Sequence, residues 1–295
     1  MSLTLFAAVA AFQAMPVAVA AAGVVAAAPL AAPTDPLPTD WRPIADDDLL
    51  VLRLASDRTV VIRLAGELAP LHVANIRKLV RAGWWDASSV YRVQENWVAQ
   101  WGDATEKKPL PVGVAVAVPP EFEIARFAPA VRMARADTRS AVAGITADGW
   151  PVASDGQGKQ WLTHCYGMVG VARDAEPTSG TGAELFTPIG QSARRLDRNY
   201  AVVGRIIQGM KWLSALPRSD APLGVYATAA ERTPILSAAL ASDLPEGQRP
   251  RFQYRAADNP RFEAMVRRRE NPPPPNVGGG GADVCEVPLE VRPTP

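Results

Sequence analysis

The sequence predicts a mainly β protein: a closed antiparallel β-barrel capped by two helices, with one long insertion and an irregular C-terminal tail. Three observations lead there. Short runs rich in Val, Leu and Ile, such as 49–54, 59–64 and 233–240, recur between turn residues at strand-like lengths. Only two stretches carry helix signals, at 70–82 and 210–216. Glycine-rich turns separate the runs, so strands follow strands, which favours a barrel over an alternating α/β sheet. With 295 residues, 48% of them hydrophobic, the chain can bury a sizeable core.

Taken in order, the chain opens with residues 1–30, which carry no charge and are mostly Ala, Val and Leu. They read as a signal peptide, with small residues suited to cleavage at Ala18-Val19-Ala20 and Ala26-Ala27-Ala28, or as an uncleaved membrane anchor. No basic residue precedes the apolar run. The expectation is an exported protein, periplasmic or secreted, with membrane attachment through this segment as the alternative. Residues 31–46 form a Pro-rich linker. The runs 49–54 and 59–64 make a hairpin around Ser56-Asp57-Arg58. A helix starts at Pro70, where a missing N–H is harmless, and ends at Gly83. Its apolar face is Leu71, Val73, Ile76, Leu79 and Val80, and His72 falls on its surface. Strand character returns over 89–100.

The stretch 106–161 has six prolines, at 109, 111, 119, 120, 129 and 151, and little periodicity, so it is expected to be a partly structured insertion. Pattern resumes at 166–172 and 201–207. A second short helix, 210–216, is stopped by Pro217. The last core strand falls at 233–240, so the main domain covers 47–242. Residues 243–295, with Arg267-Arg268-Arg269, a run of four prolines from Pro272 and a run of four glycines from Gly278, read as an extension without a core of its own.

Charge excludes one class of partner. Lys plus Arg number 31 against 30 for Asp plus Glu, a net charge of +1, which leaves no electrostatic footprint for nucleic acid. The two histidines, His72 and His164, and the two cysteines, Cys165 and Cys285, show no structural-zinc spacing, so no metal is expected. In an oxidising compartment the cysteines could bridge and pin the tail; two free thiols are the alternative. Neither histidine lies in a G-x-S-x-G setting, and the glycine run lacks a preceding strand and a following helix, so hydrolase and phosphate-loop chemistry are unsupported.

Three blocks carry a resemblance. The first runs from Val60-Val61-Ile62-Arg63-Leu64 through Ala69-Pro70 and Val73-Ala74-Asn75-Ile76 to Ala82-Gly83-Trp84-Trp85-Asp86. The second is Val90-Tyr91-Arg92-Val93 with Trp97-Val98-Ala99-Gln100-Trp101-Gly102-Asp103. The third links Gly167 to Ala172, Glu184-Leu185-Phe186, Leu196-Asp197, Val203-Gly204-Arg205 and Gly209-Met210. In order and spacing they resemble the cyclophilin family of peptidyl-prolyl cis/trans isomerases, over roughly 49–240.

The resemblance implies a cyclophilin-like barrel, isomerase activity without a cofactor, and proline-containing polypeptides as substrates. Carried over by position, Arg92 falls on the catalytic arginine, Gln100 on the substrate-binding glutamine and Phe186 on a phenylalanine of the proline pocket. Trp97, Val98, Leu196 and Tyr200 complete the implied pocket. Trp97 stands for a phenylalanine, Val98 for a methionine, Glu184 for a glutamine, Leu185 for a phenylalanine, Tyr200 for a histidine, and Arg195 or its neighbour for an aromatic residue. The rival reading is a catalytically weak proline-peptide binding or chaperone module that uses the same groove.

The chemistry suits these residues. Rotation about an X-Pro bond must break amide resonance, with a barrier of about 18–20 kcal/mol. An apolar pocket can hold the ring, and a permanently charged arginine fork can donate to the pyramidal nitrogen or the rotating carbonyl. On its own, an arginine in a strand is a surface residue on the polar face. The signature around Arg92 reverses that reading.

Overall fold

The structure is a computed structural model, described here over residues 33–295 except 127 and 175–177. The leader reading for 1–30 lies outside the described residues. In chain order the strands and helices are β1 (Trp41–Pro43), β2 (Leu49–Leu54), β3 (Arg58–Leu64), α1 (Pro70–Arg81), β4 (Ser89–Val93), β5 (Val98–Gly102), β6 (Pro129–Arg132), β7 (Val142–Thr146), β8 (Pro151–Ser154) and β9 (Gln160–Leu162). They continue as β10 (Met168–Val171), β11 (Leu185–Pro188), β12 (Val202–Gln208), α2 (Met210–Ser214), β13 (Thr233–Leu240), β14 (Phe252–Arg255), α3 (Pro260–Glu270) and β15 (Val291–Pro293).

The barrel follows from the pairing of β2 with β3. Ser56 (φ 63°) and Asp57 (φ 54°) adopt the left-handed conformations that a tight hairpin turn demands, which sets Val51 opposite Val61 and Leu50 opposite Ile62. Eight strands then close in the order β10-β11-β5-β4-β13-β2-β3-β12, all antiparallel, with β12 returning to β10. Alternate residues Leu50, Leu52, Leu54, Val60, Ile62 and Leu64 fill the interior. The opposite face is also covered: Leu49 and Val61 pack with Ile44, Ala241 and Phe252 beneath a three-stranded sheet, β1-β14-β15. Burial on both faces explains why these two strands read as nearly continuous apolar runs rather than as alternation. It also changes the reading of the linker, because Trp41–Pro43 is a strand paired with β14.

Helix α1 begins at Pro70, and Gly83 (φ 65°) turns the chain after it. Val73, Ile76, Leu79 and Val80 enter the core as expected, but Leu71 is 48% exposed. His72 is corrected from surface to core: it is fully buried. The cause is the insertion, which wraps this helix. Glu121 accepts from the backbone N–H groups of Leu71 (2.9 Å) and His72 (2.8 Å) and meets His72 Nδ1 at 2.6 Å, capping a helix that has no side-chain cap of its own. Buried Asn75 donates to the carbonyls of Ala115 and Thr181 and accepts from Ala115 N–H.

The rest of the insertion forms a four-stranded sheet, β6-β7-β8-β9. It does not close a core alone. Val131, Ala143, Ile145, Ala153 and Trp161 pack against Phe262, Val266, Val284 and Val287, so insertion and C-terminal extension share one core. The extension accordingly carries a third helix, α3, capped by Asn259, whose side chain accepts from Phe262 N–H at 3.0 Å. Glu270, almost fully buried, accepts from Ala134 N–H (2.6 Å) and Arg267 (2.9 Å), tying the helix to the insertion. Among the described residues no helix is long and apolar enough to cross a membrane.

Cys165 and Cys285, 120 residues apart in sequence, are joined by a disulfide. A cross-link closing so long a loop restricts the unfolded chain strongly. Replacing both cysteines by serine is expected to lower unfolding stability by about 2–4 kcal/mol, read as a fall in the denaturant midpoint. An unchanged midpoint would mean that the shared core alone holds the extension in place.

Candidate active site

Register places the site. In antiparallel pairing Arg92 of β4 stands opposite Gln100 of β5, Gln100 opposite Phe186 of β11, and Phe186 opposite Gly170 of β10. One row across four strands therefore carries a cation, an amide and an aromatic ring on the same face. The fourth member is a glycine for a physical reason: a Cβ on Gly170 would lie 2.4 Å from Phe186 Cζ, so the bare backbone lets the ring lie over the strand.

Trp97 ends the β4–β5 connection, where Asn96 (φ 50°) makes the turn, and Val98 opens β5. Leu196 ends a short 3-10 helix, Gln191–Leu196, and Tyr200 follows it. Val98, Phe186 and Leu196 form a buried cluster flanked by Trp97, Ala172 and Tyr200. The ring of Tyr200 meets Phe186 edge-on at 5.5 Å, and the Arg195 guanidinium lies over Trp97 at 5.7 Å, so a cation–π contact stands where an aromatic residue was expected. All seven residues singled out from the sequence, Arg92, Trp97, Val98, Gln100, Phe186, Leu196 and Tyr200, line one cavity of 350 Å³.

Arg92 is held from three directions. Its Nε donates to the Leu223 carbonyl at 2.6 Å, and its two terminal nitrogens donate to Gln100 Oε1 (3.0 Å) and Gln94 Oε1 (2.7 Å). A guanidinium has five N–H groups, so two remain. Burial pushes Arg92 below its ordinary value, with Tyr91 and Tyr200 working the other way. Gln100 in turn donates to the Tyr91 hydroxyl at 2.5 Å, which fixes its amide orientation and leaves its second Nε2 hydrogen free. Tyr91, Gln94 and the Leu223 carbonyl were not recognised from sequence. Tyr91 adjoins Arg92, but nothing in the chain marks the loop around Leu223, which arrives from about 130 residues away.

A buried network fixes the far wall. Asp197 Oδ1 accepts from His164 N–H (2.8 Å) and lies 3.3 Å from His164 Nδ1, while Oδ2 accepts from Trp161 Nε1 (3.1 Å) and Arg194 Nε (2.6 Å). His164, fully buried, stacks on Phe186 with centroids 6.0 Å apart. Leu196 and Phe186 are thus both braced by Asp197, whose only signal in the sequence was the Leu196-Asp197 pair.

A larger cavity of 640 Å³ adjoins the first and shares Tyr91, Gln100, Glu106, Ala172, Arg173 and Asp174 with it. Glu184 lies on its wall beside Tyr91 and accepts from Asp103 N–H at 2.6 Å. The carboxyl fills the space that a side chain on Gly102 would need, 2.1 Å from an added Cβ. Burial pushes Glu184 up to about 7; Asp103 and Glu106 add to this, and the Asp103 N–H and Tyr91 hydroxyl oppose it. Lys108, Arg173 and Asp174 complete the charged lining.

A carboxyl with a raised folded value binds its proton more tightly in the folded state. Its contribution is therefore full below the unfolded value near 4.5 and is lost as pH rises through about 7. Unfolding free energy is expected to fall by up to about 3 kcal/mol across that window, and Glu184→Gln is expected to flatten the slope. Denaturant melts at several pH values read this directly. An equal slope in the variant would assign it to other groups.

The closed eight-stranded barrel that carries this cavity and arginine has counterparts among known proteins. Residues 50–238 match the family model for cyclophilin type peptidyl-prolyl cis-trans isomerase. The chain is 28% identical over 166 residues to the "Probable peptidyl-prolyl cis-trans isomerase" of Brucella suis, covering 56% of this chain and 70% of that one. It is 27% identical over 173 residues to "Peptidyl-prolyl cis-trans isomerase CYP23" of Arabidopsis thaliana, covering 58% and 61%. The crystal structure of cyclophilin AquaCyp293 from Hirschia baltica superposes with a TM-score of 0.61 at 28% identity, over 76% of this chain and 85% of that one. The chain belongs to the cyclophilin-type peptidyl-prolyl cis-trans isomerase family, and its activity is that of the family.

Proposed function

We propose that the 350 Å³ cavity receives the proline ring of a polypeptide substrate, and that Arg92 is the group that lowers the barrier. The observation that carries this reading is Arg92 itself, braced by Leu223, Gln94 and Gln100 with two N–H groups left over at the edge of an apolar pocket. Val98, Phe186 and Leu196 hold the ring, while Trp97 and Tyr200 flank it. As the amide twists, its nitrogen becomes pyramidal and its lone pair accepts from Arg92; a preorganised donor stabilises this state more than the planar ground state. The spare Nε2 hydrogen of Gln100 is placed to hold a substrate carbonyl, which orients the chain. No covalent bond changes.

The substrates are taken to be polypeptides outside the cytoplasm. The uncharged apolar leader and the Cys165–Cys285 disulfide both support export, because structural disulfides persist in oxidising compartments. The test is exchange spectroscopy on an Ala-Pro-containing peptide with purified protein. Acceleration of cis–trans exchange above the uncatalysed rate is expected. Saturable binding without acceleration would replace this reading by that of a proline-peptide binding module, for which the changed residues Trp97, Glu184, Leu185 and Tyr200 would then account.

A further inference from the structure

On the side of the barrel covered by the extension, Arg205 has no counter-ion among the described residues. It lies on β12, opposite Arg63 of β3 and Met168 of β10, and is only 8% exposed. Its cross-strand neighbour is well provided for. Arg63 lies over the rings of Trp150 (4.7 Å) and Tyr254 (4.3 Å) and donates to the Asp148 carbonyl (2.7 Å), with the Asp148 carboxylate at 3.4 Å. Its backbone belongs to the β-ladder, but the Arg205 side chain makes no hydrogen bond, ion pair or ring contact with any described residue. Burial pushes it down to about 9, and Arg63 adds to the effect.

Two acids of the extension that adjoin the lining residues in sequence have partners elsewhere: Glu290 pairs with Arg255 at 2.5 Å, and Glu286 accepts from Asp283 N–H at 2.9 Å. An isolated buried charge of this kind is costly, and proteins otherwise pair it or neutralise it.

Arg205 opens onto a cavity of 350 Å³. The remaining walls are apolar or nearly so: Met168 and Ile207 from the barrel, Met210 from α2, Val287 and Leu289 from the extension, and the Cys165–Cys285 disulfide across one side. No acidic residue lines it, and none of its lining residues belongs to the proline pocket or to the larger cavity beside that pocket. One desolvated cation in an apolar chamber recognises one kind of ligand. A singly charged anion balances one cation, a carboxylate meets the fork with two coplanar oxygens, and an apolar body fills the rest.

We propose that this cavity is a second binding site, independent of isomerisation, for a carboxylate with an apolar body, and that Arg205 is the residue that captures the carboxylate. A small aliphatic acid and the apolar C-terminal residue of a polypeptide present the same chemistry.

The test uses the full oxidised protein with labelled methionine methyl groups, since Met168 and Met210 both line the cavity. Four probes are titrated: octanoate, octan-1-ol, the peptide Ala-Ala-Ala-Leu with a free carboxylate, and its C-terminal amide. Octanoate is expected to shift both methyl resonances saturably, with octan-1-ol about tenfold weaker or worse. Arg205→Gln is expected to weaken octanoate about tenfold or more while leaving isomerase activity unchanged. Binding of the free peptide but not its amide identifies a polypeptide C-terminus as the source, and binding of octanoate alone a small acid; either supports the site.

Arg205→Met supplies a readout independent of any ligand. By removing an uncompensated charge it is expected to raise Tm and abolish octanoate binding. No binding of either carboxylate by the wild type, equal binding by Arg205→Gln, or a lower Tm for Arg205→Met would overturn the proposal.

Discussion

Arg92→Ala is expected to lower kcat/KM for prolyl isomerisation by about 100- to 1,000-fold, the range found when one preorganised donor to a developing charge is removed. The loss should fall on kcat, because the apolar cluster proposed to hold the ring, Val98, Phe186 and Leu196, is left in place by the substitution. Arg92→Lys should recover little. A lysine is a point charge on a flexible stem and cannot reach the Leu223 carbonyl, Gln94 and Gln100 at once while still presenting donors to the substrate. The measurement is exchange spectroscopy over a range of peptide concentrations, with peptide affinity determined separately. A rate within a few-fold of wild type would remove Arg92 from the chemistry.

Asp197→Ala is expected to be the most destabilising single change near the pocket, at about 3–5 kcal/mol. Its carboxylate serves Trp161 and the His164 backbone, both buried, and the largely covered Arg194, so truncation leaves several donors without a partner. Asp137 (3.0 Å) and Asp283 (3.3 Å) still neutralise Arg194, which keeps the loss within that range. Asp197→Asn, which keeps an acceptor oxygen but not the charge, should lose less. Burial works to raise the Asp197 carboxyl, but His164 and Arg194 outweigh it and hold it below its ordinary value. Its contribution is therefore present above the unfolded value near 3.8 and is lost as pH falls further, the reverse of Glu184. Because His164 stacks on Phe186, the alanine variant should also raise KM. A denaturant midpoint within about 1 kcal/mol of wild type would show that the network is redundant.

How much of this could be read from the chain differs by region. The hairpin 49–64, helix α1 and strand β13 lie almost where the apolar runs placed them, because each run is long and bounded by a proline or by turn residues. The seven pocket residues came from the resemblance; periodicity alone would have left Arg92 on a polar face and Gln100 without meaning. The insertion resisted because its strands are only three to five residues long and lie among prolines. Helix α3 was missed for another reason. Its sequence ends in Arg267-Arg268-Arg269, and the residues that make its Phe262 and Val266 interior, Val131, Ile145 and Trp161, lie more than 100 positions upstream. His72 misled in the same way, since Glu121, which buries it, belongs to a segment without pattern.

The core shared by the insertion and the extension imposes an order on biogenesis. Strands β6 to β9 leave the ribosome well before Val284 and Val287 are made, and until then one face of that sheet has nothing to lie against. The two halves of the later disulfide are likewise separated in time by the synthesis of 120 residues. The barrel strands are all synthesised by Leu240, so a chain emerging N-terminus first presents every barrel strand while the segment that covers this flank is still to come. That stage is the one in which the molecule itself most resembles a client for assisted folding.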